Sequence, residues 1–417
     1  MTVCTAFVHA ETSPGVLRIE AVDRATCVDY KPAMSRLPKA WPCTAALITV
    51  ALSIAGCDDA NPLARPADAY VWGYPLVVTM RTLQTFARAL PVNALTWQAS
   101  LSNPSSRIIV APNTDTLYAV SPIDLRGEPL ALTVPEIRGR YYSFQMISAY
   151  SDAFAYIGTR ATGARAGTWV ITPPGWTGPL PSGVTRIEAP TPQMFLLGRF
   201  AVDGPAQVPD VLALRSSVVL QGLSRLTGEP PVPRPFVGFE APRGAPQDVA
   251  SAGAGFFDEL GDALAVNPPT NGDQERILEG FKPLGIGPGR HPTEEQADPV
   301  ALAALENGVV EGEAEIVDAA DSSVDPKVAW NFRTDLGVYG NDSLRRATVA
   351  KIGWGANVAE EALYARSLRD ADGSTYTGAH AYVLHFAASE LPPVDAFWSL
   401  TLYGPDLFFV ANPIERY

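Results

Sequence analysis

Cysteine is scarce in this chain, and after position 57 it is absent: the four cysteines are Cys4, Cys27, Cys43 and Cys57. The long segment that follows therefore holds no disulfide, no thiolate metal site and no cysteine nucleophile. Histidine is equally sparse. His380 and His385 are five residues apart in a predicted strand, which turns them to opposite faces, and His291 sits in a Gly/Pro-rich loop. No metal site is expected from so few ligands. Asp370-Ala-Asp372-Gly373 has the start of a calcium loop but lacks the later ligands of one. Lysine after position 57 is limited to Lys282, Lys327 and Lys351, and from Cys57 onward 26 basic residues face 40 acidic ones. A nucleic-acid partner needs a basic stripe to displace counterions, so nucleic-acid binding is excluded, and the acidic surplus serves solubility. No G-x-S-x-G elbow is present, and nothing in the sequence implies a cofactor.

What the sequence does contain begins with an export signal. From Met34 the chain runs MSRLPKAWPCTAALITVALSIAGCDDA. Arg36 and Lys39 form a basic start, Trp41 to Ile54 an apolar run, and Ala55 and Gly56 stand directly before Cys57, the three parts of a secretory signal. The sixteen residues from Trp41 to Gly56 fall short of the ~20 needed to span a bilayer. The I-A-G-C ending resembles the lipobox of bacterial lipoproteins, which implies lipidation of Cys57 and a membrane tether. The expected location is the cell envelope, lipid-anchored and facing the periplasm or the exterior. Asp58 and Asp59 resemble a signal for inner-membrane retention. Residues 1–33, mildly acidic and without periodicity, are expected to be disordered and to arise from a translation start placed upstream of Met34.

Beyond the anchor the pattern divides the chain. Residues 57–106 form an N-terminal helical segment: Tyr70, Gly73, Leu76 and Val77 fall at helical spacing, as do Met80, Leu83 and Phe86, and Pro75 is expected to kink or divide it. Residues 107–227 carry short strand-like runs punctuated by Pro and Gly: RIIVA, TLYAVS, LALTV, YYSFQMI, TWVIT, VTRIEA and MFLLGRF. In YYSFQMI, Tyr142, Phe144 and Met146 share one face, as a half-buried strand requires. Residues 228–330 are a Pro-rich linker and helical insert, with FFDELGDALAV and PVALAALENGVVEGEAEIVDAA as its clearest helices. Strand patterns return over 331–417 as ALYARSL, AYVLHF, AFWSLTLY and LFFVAN. The fold class is mainly β with helical additions (α+β), built on two related β-sandwich or jelly-roll-like domains.

The two β regions read as copies. DTLYAVSPIDLRG from Asp115 matches EALYARSLRDADG from Glu361, and YYSFQMI matches FWSLTLY. Leu117 pairs with Leu363, Tyr118 with Tyr364, Asp124 with Asp370 and Ser143 with Ser399, which favours duplication. About 55 residues of strand follow YYSFQMI in the first copy, whereas only Gly404–Tyr417 follow its counterpart. The second copy is therefore expected to be truncated, lacking roughly three strands unless another element or chain supplies the edge.

PNTDTLYAVSPIDL, RGRYYSFQMISAYSDAFAYIGTRATG and PPGWTGPLPSGV resemble the bacterial module called domain of unknown function 1254. GVYGNDSLRRA, DADGSTYTGAHAYVLHF and LPPVDAFWSLTLYGPDLFFVANPIERY resemble its usual companion, domain of unknown function 1214. The resemblance implies two β-sandwich-like domains with a helical insertion, and a chain continuing past N-P-I-x-R-Y. It implies no activity and no catalytic residues.

Candidate site residues come from the residues themselves. Asn113 and Asp115 lie in a Pro-Asn-Thr-Asp turn, where both can simply cap their own turn; with Tyr118 they can also grip a polar ligand at the mouth of the first sandwich. Arg138, Arg140, Arg160 and Arg199 recur in or beside strands, solvated or turned inward to fork onto a carboxylate. The ligand-binding candidates are thus Asn113, Asp115, Tyr118, Arg140, Tyr141, Gln145 and Arg160. A Ser/His/Asp set could assemble from distant residues such as Ser399, His380 and Asp395, which spacing alone does not show. The leading reading is an envelope protein that binds a small organic or carbohydrate-like ligand or assembles as a homo-oligomer. Its rivals are a cofactor-independent hydrolase or lyase centred on Asn113, Asp115, Tyr118 and Arg140, and a non-functional remnant.

Overall fold

The computed structural model describes the backbone of residues 3–9 and residues 65–107, 109–230, 239–246, 248–325, 327–387 and 391–417. The predicted signal over 34–56 and the candidate lipidation site Cys57 lie outside the described residues. One strand, β1 (Val3–His9), precedes them.

The first long element, α1 (Pro66–Ala89), explains its own start. Pro66 opens it at a position where the missing N–H costs nothing, and the Asp68 carboxylate accepts from the Arg65 amide at 3.4 Å and from its Nε–H at 3.2 Å. Pro75 was expected to kink or divide this segment; it does not divide it, and α1 runs through it as one 24-residue helix. The reason is packing: Tyr70, Trp72, Tyr74, Leu76 and Leu83 are all buried, so the helix is surrounded by protein on every side. Such burial outweighs the local cost of an interior proline.

The first β region holds β2 (Thr96–Trp97), β3 (Thr116–Asp124), β4 (Leu130–Val134), β5 (Tyr142–Ser148), β6 (Ala153–Gly158), β7 (Gly167–Thr172), β8 (Thr185–Glu188), β9 (Gln193–Ala201) and β10 (Val219–Gly222). They form two sheets, ordered β2-β3-β9-β5-β6 and β10-β4-β7-β8. Between them lies a core of Leu117, Ala119, Ile123, Leu132, Val134, Phe144, Met146, Ile171, Leu196 and Phe200. Alternation along each strand supplies one member to this core and sends the next to the opposite face. That opposite face is covered as well. All seven residues of β5 are buried, so YYSFQMI is not the half-buried strand its pattern suggested. RIIVA forms no strand, while β6 and β10 were not anticipated.

Two short helices, α2 (Val208–Ala213) and α3 (Leu223–Thr227), close this region. The insert then supplies α4 (Gly255–Val266), α5 (Gly272–Gly280), α6 (Pro292–Glu295) and α7 (Pro299–Ser322), followed by α8 (Ser343–Gly353). They pack with α1 against the outer face of the five-stranded sheet, through Phe256, Phe257, Leu260, Val309, Ile316, Trp354, Ile147, Phe195 and Leu197. Glycine makes the α1–α7 approach possible: a Cβ on Gly312 would lie 2.7 Å from the Tyr70 ring. Buried polar links lock the layer. Arg81 pairs with Glu259 at 2.6 Å with both side chains nearly covered, and the Trp354 indole donates to Thr79 Oγ1 at 2.9 Å.

The C-terminal region contains β11 (Asn331–Arg333), β12 (Ala362–Ser367) and β13 (Trp398–Tyr403). With β1 they form one sheet ordered β11-β12-β1-β13. The order parallels β2-β3-β9-β5 of the first region, position by position. The strand β1 takes the place of β9, but runs parallel to both neighbours where β9 runs antiparallel. Val3–His9 was expected to lack structure; its Val, Thr and Phe content suits a strand, and the gap between β12 and β13 gives it two partners. Among the described residues this region has a single sheet, and AYVLHF and LFFVAN pair into no strand beyond a Tyr403–Phe409 bridge.

Candidate functional site

The two β regions meet with their equivalent residues facing each other. Tyr118 and Tyr364 each stand two residues into their strands and cap the preceding turn. The Tyr118 hydroxyl accepts the Asn113 amide at 3.0 Å, and the Tyr364 hydroxyl accepts the Asn357 amide at 3.2 Å and its side-chain Nδ2–H at 2.9 Å. Two residues before the paired leucines, each copy carries a carboxylate that engages the other copy. Asp115 accepts a short hydrogen bond from Ser399 Oγ on β13. Glu361 accepts from the Tyr141 hydroxyl at 2.6 Å, beside β5, and pairs with Arg160 at 2.5 Å. Burial pushes the Asp115 carboxyl above the ordinary range; the Ser399 bond opposes this, and nearby Asp203 adds to it. Burial, with Glu361 adding, likewise raises the Tyr141 phenol, so it serves as a proton donor in this bond.

Beside this junction lies a cavity of about 470 Å³, within the usual size for small-molecule sites. It is bounded by α1 (Phe86, Leu90), the loop over 102–112, the outer faces of β3 (Tyr118, Val120) and β9 (Leu197, Arg199), the end of α8 (Ile352, Trp354) and the facing side of β12 (Tyr364, Arg366). A smaller cavity of about 70 Å³ adjoins it, lined by Asn113, Thr116, Tyr141, Asn357 and Phe397. Tyr118, Arg199 and Tyr364 line both. Arg199 lies deep in the protein yet keeps accessible side-chain surface, and that surface faces the cavities. Its guanidinium donates to Gln145 Oε1 at 2.7 Å, Asn357 Oδ1 at 3.3 Å and the Gly355 carbonyl at 3.2 Å.

The structure divides the sequence-based candidates. Tyr118 lines both cavities, and Asn113 and Tyr141 line the smaller one. Asn113 also caps its turn, its Oδ1 accepting the Asp115 amide at 2.7 Å. Gln145 stands behind Arg199 and holds it, also donating to the Ala356 carbonyl at 3.0 Å. Arg160 stands behind Glu361. Arg140 is turned away, bound to the Ala201 carbonyl and to Gln207, so it takes no part in the cavity. Ser399 binds Asn113 and Asp115, not His380, whose ring contact is Tyr382; the spacing-based triad does not assemble. No group of potential metal ligands occurs among the described residues. Tyr364, Asn357, Glu361 and Arg366 were not among the candidates, although the pairing of Tyr118 with Tyr364 in the repeat pointed to the second tyrosine; Arg199, one of the strand arginines that could turn inward, does line the cavities.

Fold and site together define an α+β protein in which two β regions and a helical layer border the large cavity and its smaller neighbour. Residues 92–222 match the family described as "Protein of unknown function (DUF1254)", and residues 361–417 match "Protein of unknown function (DUF1214)", the combination the motifs indicated. No curated protein matches the chain in sequence. Among solved structures, the VPA0106 protein from Vibrio parahaemolyticus is 19% identical with a TM-score of 0.54, covering 70% of this chain and 67% of its own. That likeness concerns the fold alone. A putative uncharacterized protein from Burkholderia cenocepacia, 15% identical over 43% of this chain and 46% of its own, has a TM-score of 0.23 and carries no argument.

Proposed function

We propose that the protein binds a small organic molecule in the cavity of about 470 Å³. The observation that carries this reading is the lining itself. Leu197, Val349, Trp354 and Tyr403 present largely buried apolar surface, while Tyr118, Tyr364 and Arg199 converge on it from their strands and Gln98 from the end of β2. An apolar chamber with a few convergent polar groups is the ordinary form of a ligand site. The export motif supports a second part of the same reading, in which Cys57 is lipidated and the chain works tethered in the cell envelope. Among the described residues no helix is long and apolar enough to cross a membrane.

The test is titration of the full chain with the neutral fluorophore N-phenyl-1-naphthylamine, in the wild type and in Val120→Phe. Val120 lines the cavity on β3, so the larger side chain occupies ligand space at a stability cost of about 1–3 kcal/mol. Binding by the wild type and at least about tenfold weaker binding by the variant, roughly 1.4 kcal/mol, is the expected result. Equal affinity in a variant that still melts cooperatively would show that the probe binds elsewhere and that the reading is wrong.

A further inference from the structure

Among the described residues, the charged side chains that line the large cavity are all of one sign. Arg107, Arg199, Arg333 and Arg366 line it, and no aspartate or glutamate among the described residues does, in a chain with 44 acidic residues against 31 lysines and arginines. Two of these cations are already neutralised: Arg107 by Asp406 at 2.5 Å and Arg333 by Asp335 at 2.7 Å. The other two are not. Arg199 is held by neutral oxygens of Gln145, Asn357 and Gly355. The Arg366 side chain makes no ion pair or hydrogen bond among the described residues, and burial works against its charge, offset in part by the more distant Asp321.

Alternation places these groups where a ligand meets them. Arg199 and Leu197 share one face of β9, Tyr118 and Val120 one face of β3, and Arg366 and Tyr364 one face of β12; all six line the cavity. A neutral apolar molecule filling this space would expel water from two guanidinium groups and give nothing back, which is costly for an unpaired charge. An anion would supply the missing partner. A planar carboxylate suits a guanidinium best, because it accepts two parallel N–H bonds.

We propose that the ligand is an organic acid: a monocarboxylate carried on an apolar body, its head on Arg199 and Arg366 and its body against Val120, Leu197 and Trp354. This rests on the small-molecule reading of the same cavity and narrows it to one chemical class. Arg199 and Arg366 are assigned here as specificity-determining residues, with Gln145 as the group that positions Arg199.

Isothermal titration of the full chain at neutral pH with octanoate and with octan-1-ol, matched in body and differing in head, tests the assignment. Octanoate is expected to bind at least about tenfold more tightly, a difference of about 1.4 kcal/mol, and Arg366→Met is expected to erase most of that preference. Arg366 anchors nothing else, so this variant keeps its fold; Arg199→Gln is the companion, accepted as informative where its thermal melt matches the wild type. Octan-1-ol binding as well as octanoate, or a preference that survives Arg366→Met, overturns the organic-acid assignment and leaves the small-molecule reading standing. Binding of neither compound, together with no binding of the neutral fluorophore, overturns both.

Discussion

Removing the Glu361 carboxylate is expected to loosen the junction between the two β regions by an amount the structure specifies. Glu361 is 1% exposed and carries two charge-assisted contacts, from the Tyr141 hydroxyl at 2.6 Å and from Arg160 at 2.5 Å. Glu361→Ala leaves the Tyr141 hydroxyl without its main acceptor in a nearly covered site, a loss of about 1–3 kcal/mol. Arg160 retains 26% exposure and recovers hydration, so its share falls well below the ~3–5 kcal/mol of a fully buried broken pair. The total should be about 3 kcal/mol, whereas Glu361→Gln keeps an acceptor for Tyr141 and should cost about 1 kcal/mol. Urea denaturation with linear extrapolation measures both. A cycle with Tyr141→Phe isolates the pair: once Glu361→Ala is in place, losing the hydroxyl should cost nothing further. A Glu361→Ala penalty under about 0.5 kcal/mol, or strict additivity with Tyr141→Phe, would show that the two regions are not joined through this carboxylate.

Two further outcomes follow from charge and topology. Hydrogen bonding from Arg333, with burial opposing, holds the Asp335 carboxyl down to about 2; its pKa is depressed in the folded protein, so its stabilisation is present above the unfolded value near ~3.9 and lost as pH falls toward about 2. The urea midpoints of wild type and Asp335→Asn should therefore differ at pH 6 and converge as pH falls through that window; a constant gap would contradict the pairing. Deleting residues 1–10 should expose the ladder edges of β12 and β13 and speed amide exchange there while β3, β5 and β9 stay protected. Unchanged protection over 362–367 and 398–403 would mean that β1 does not hold that sheet, which is also what a mature chain beginning at Cys57 requires, and mass spectrometry of the exported protein reads that start directly.

Much of the first β region was legible because its strands obey alternation at the length a strand needs; β3, β4, β5, β7, β8 and β9 all overlap runs picked out by pattern. What pattern could not show was the second layer. The residues between the core positions of β5 look like a solvent face in sequence, but the helical layer and the C-terminal region cover them, so the whole strand is buried. The same blindness hid α8, whose Arg345 and Arg346 read as surface residues although Arg346 is buried beside Asp152. Pro75 does not divide α1 for the converse reason, since a proline rule describes an isolated helix and α1 is enclosed. The site followed this division. Tyr118 and Asn113 were recognisable because polar residues in a Pro-Asn turn stand out locally. Arg199 and Arg366 sit in strands where pattern leaves a lone arginine either solvated or turned inward, and only the assembled sheets show that both line a cavity. The internal repeat was the strongest long-range signal: it pairs Tyr118 with Tyr364, and the two tyrosines line the same chamber.

The most direct measurement is a crystal structure of the full chain with octanoate. The account predicts density for one molecule in the large cavity, its carboxylate within hydrogen-bond distance of Arg199 or Arg366 and its chain along Val120, Leu197 and Trp354. An empty cavity with octanoate bound only at the surface, or a buried molecule with its carboxylate turned away from both arginines, would contradict it.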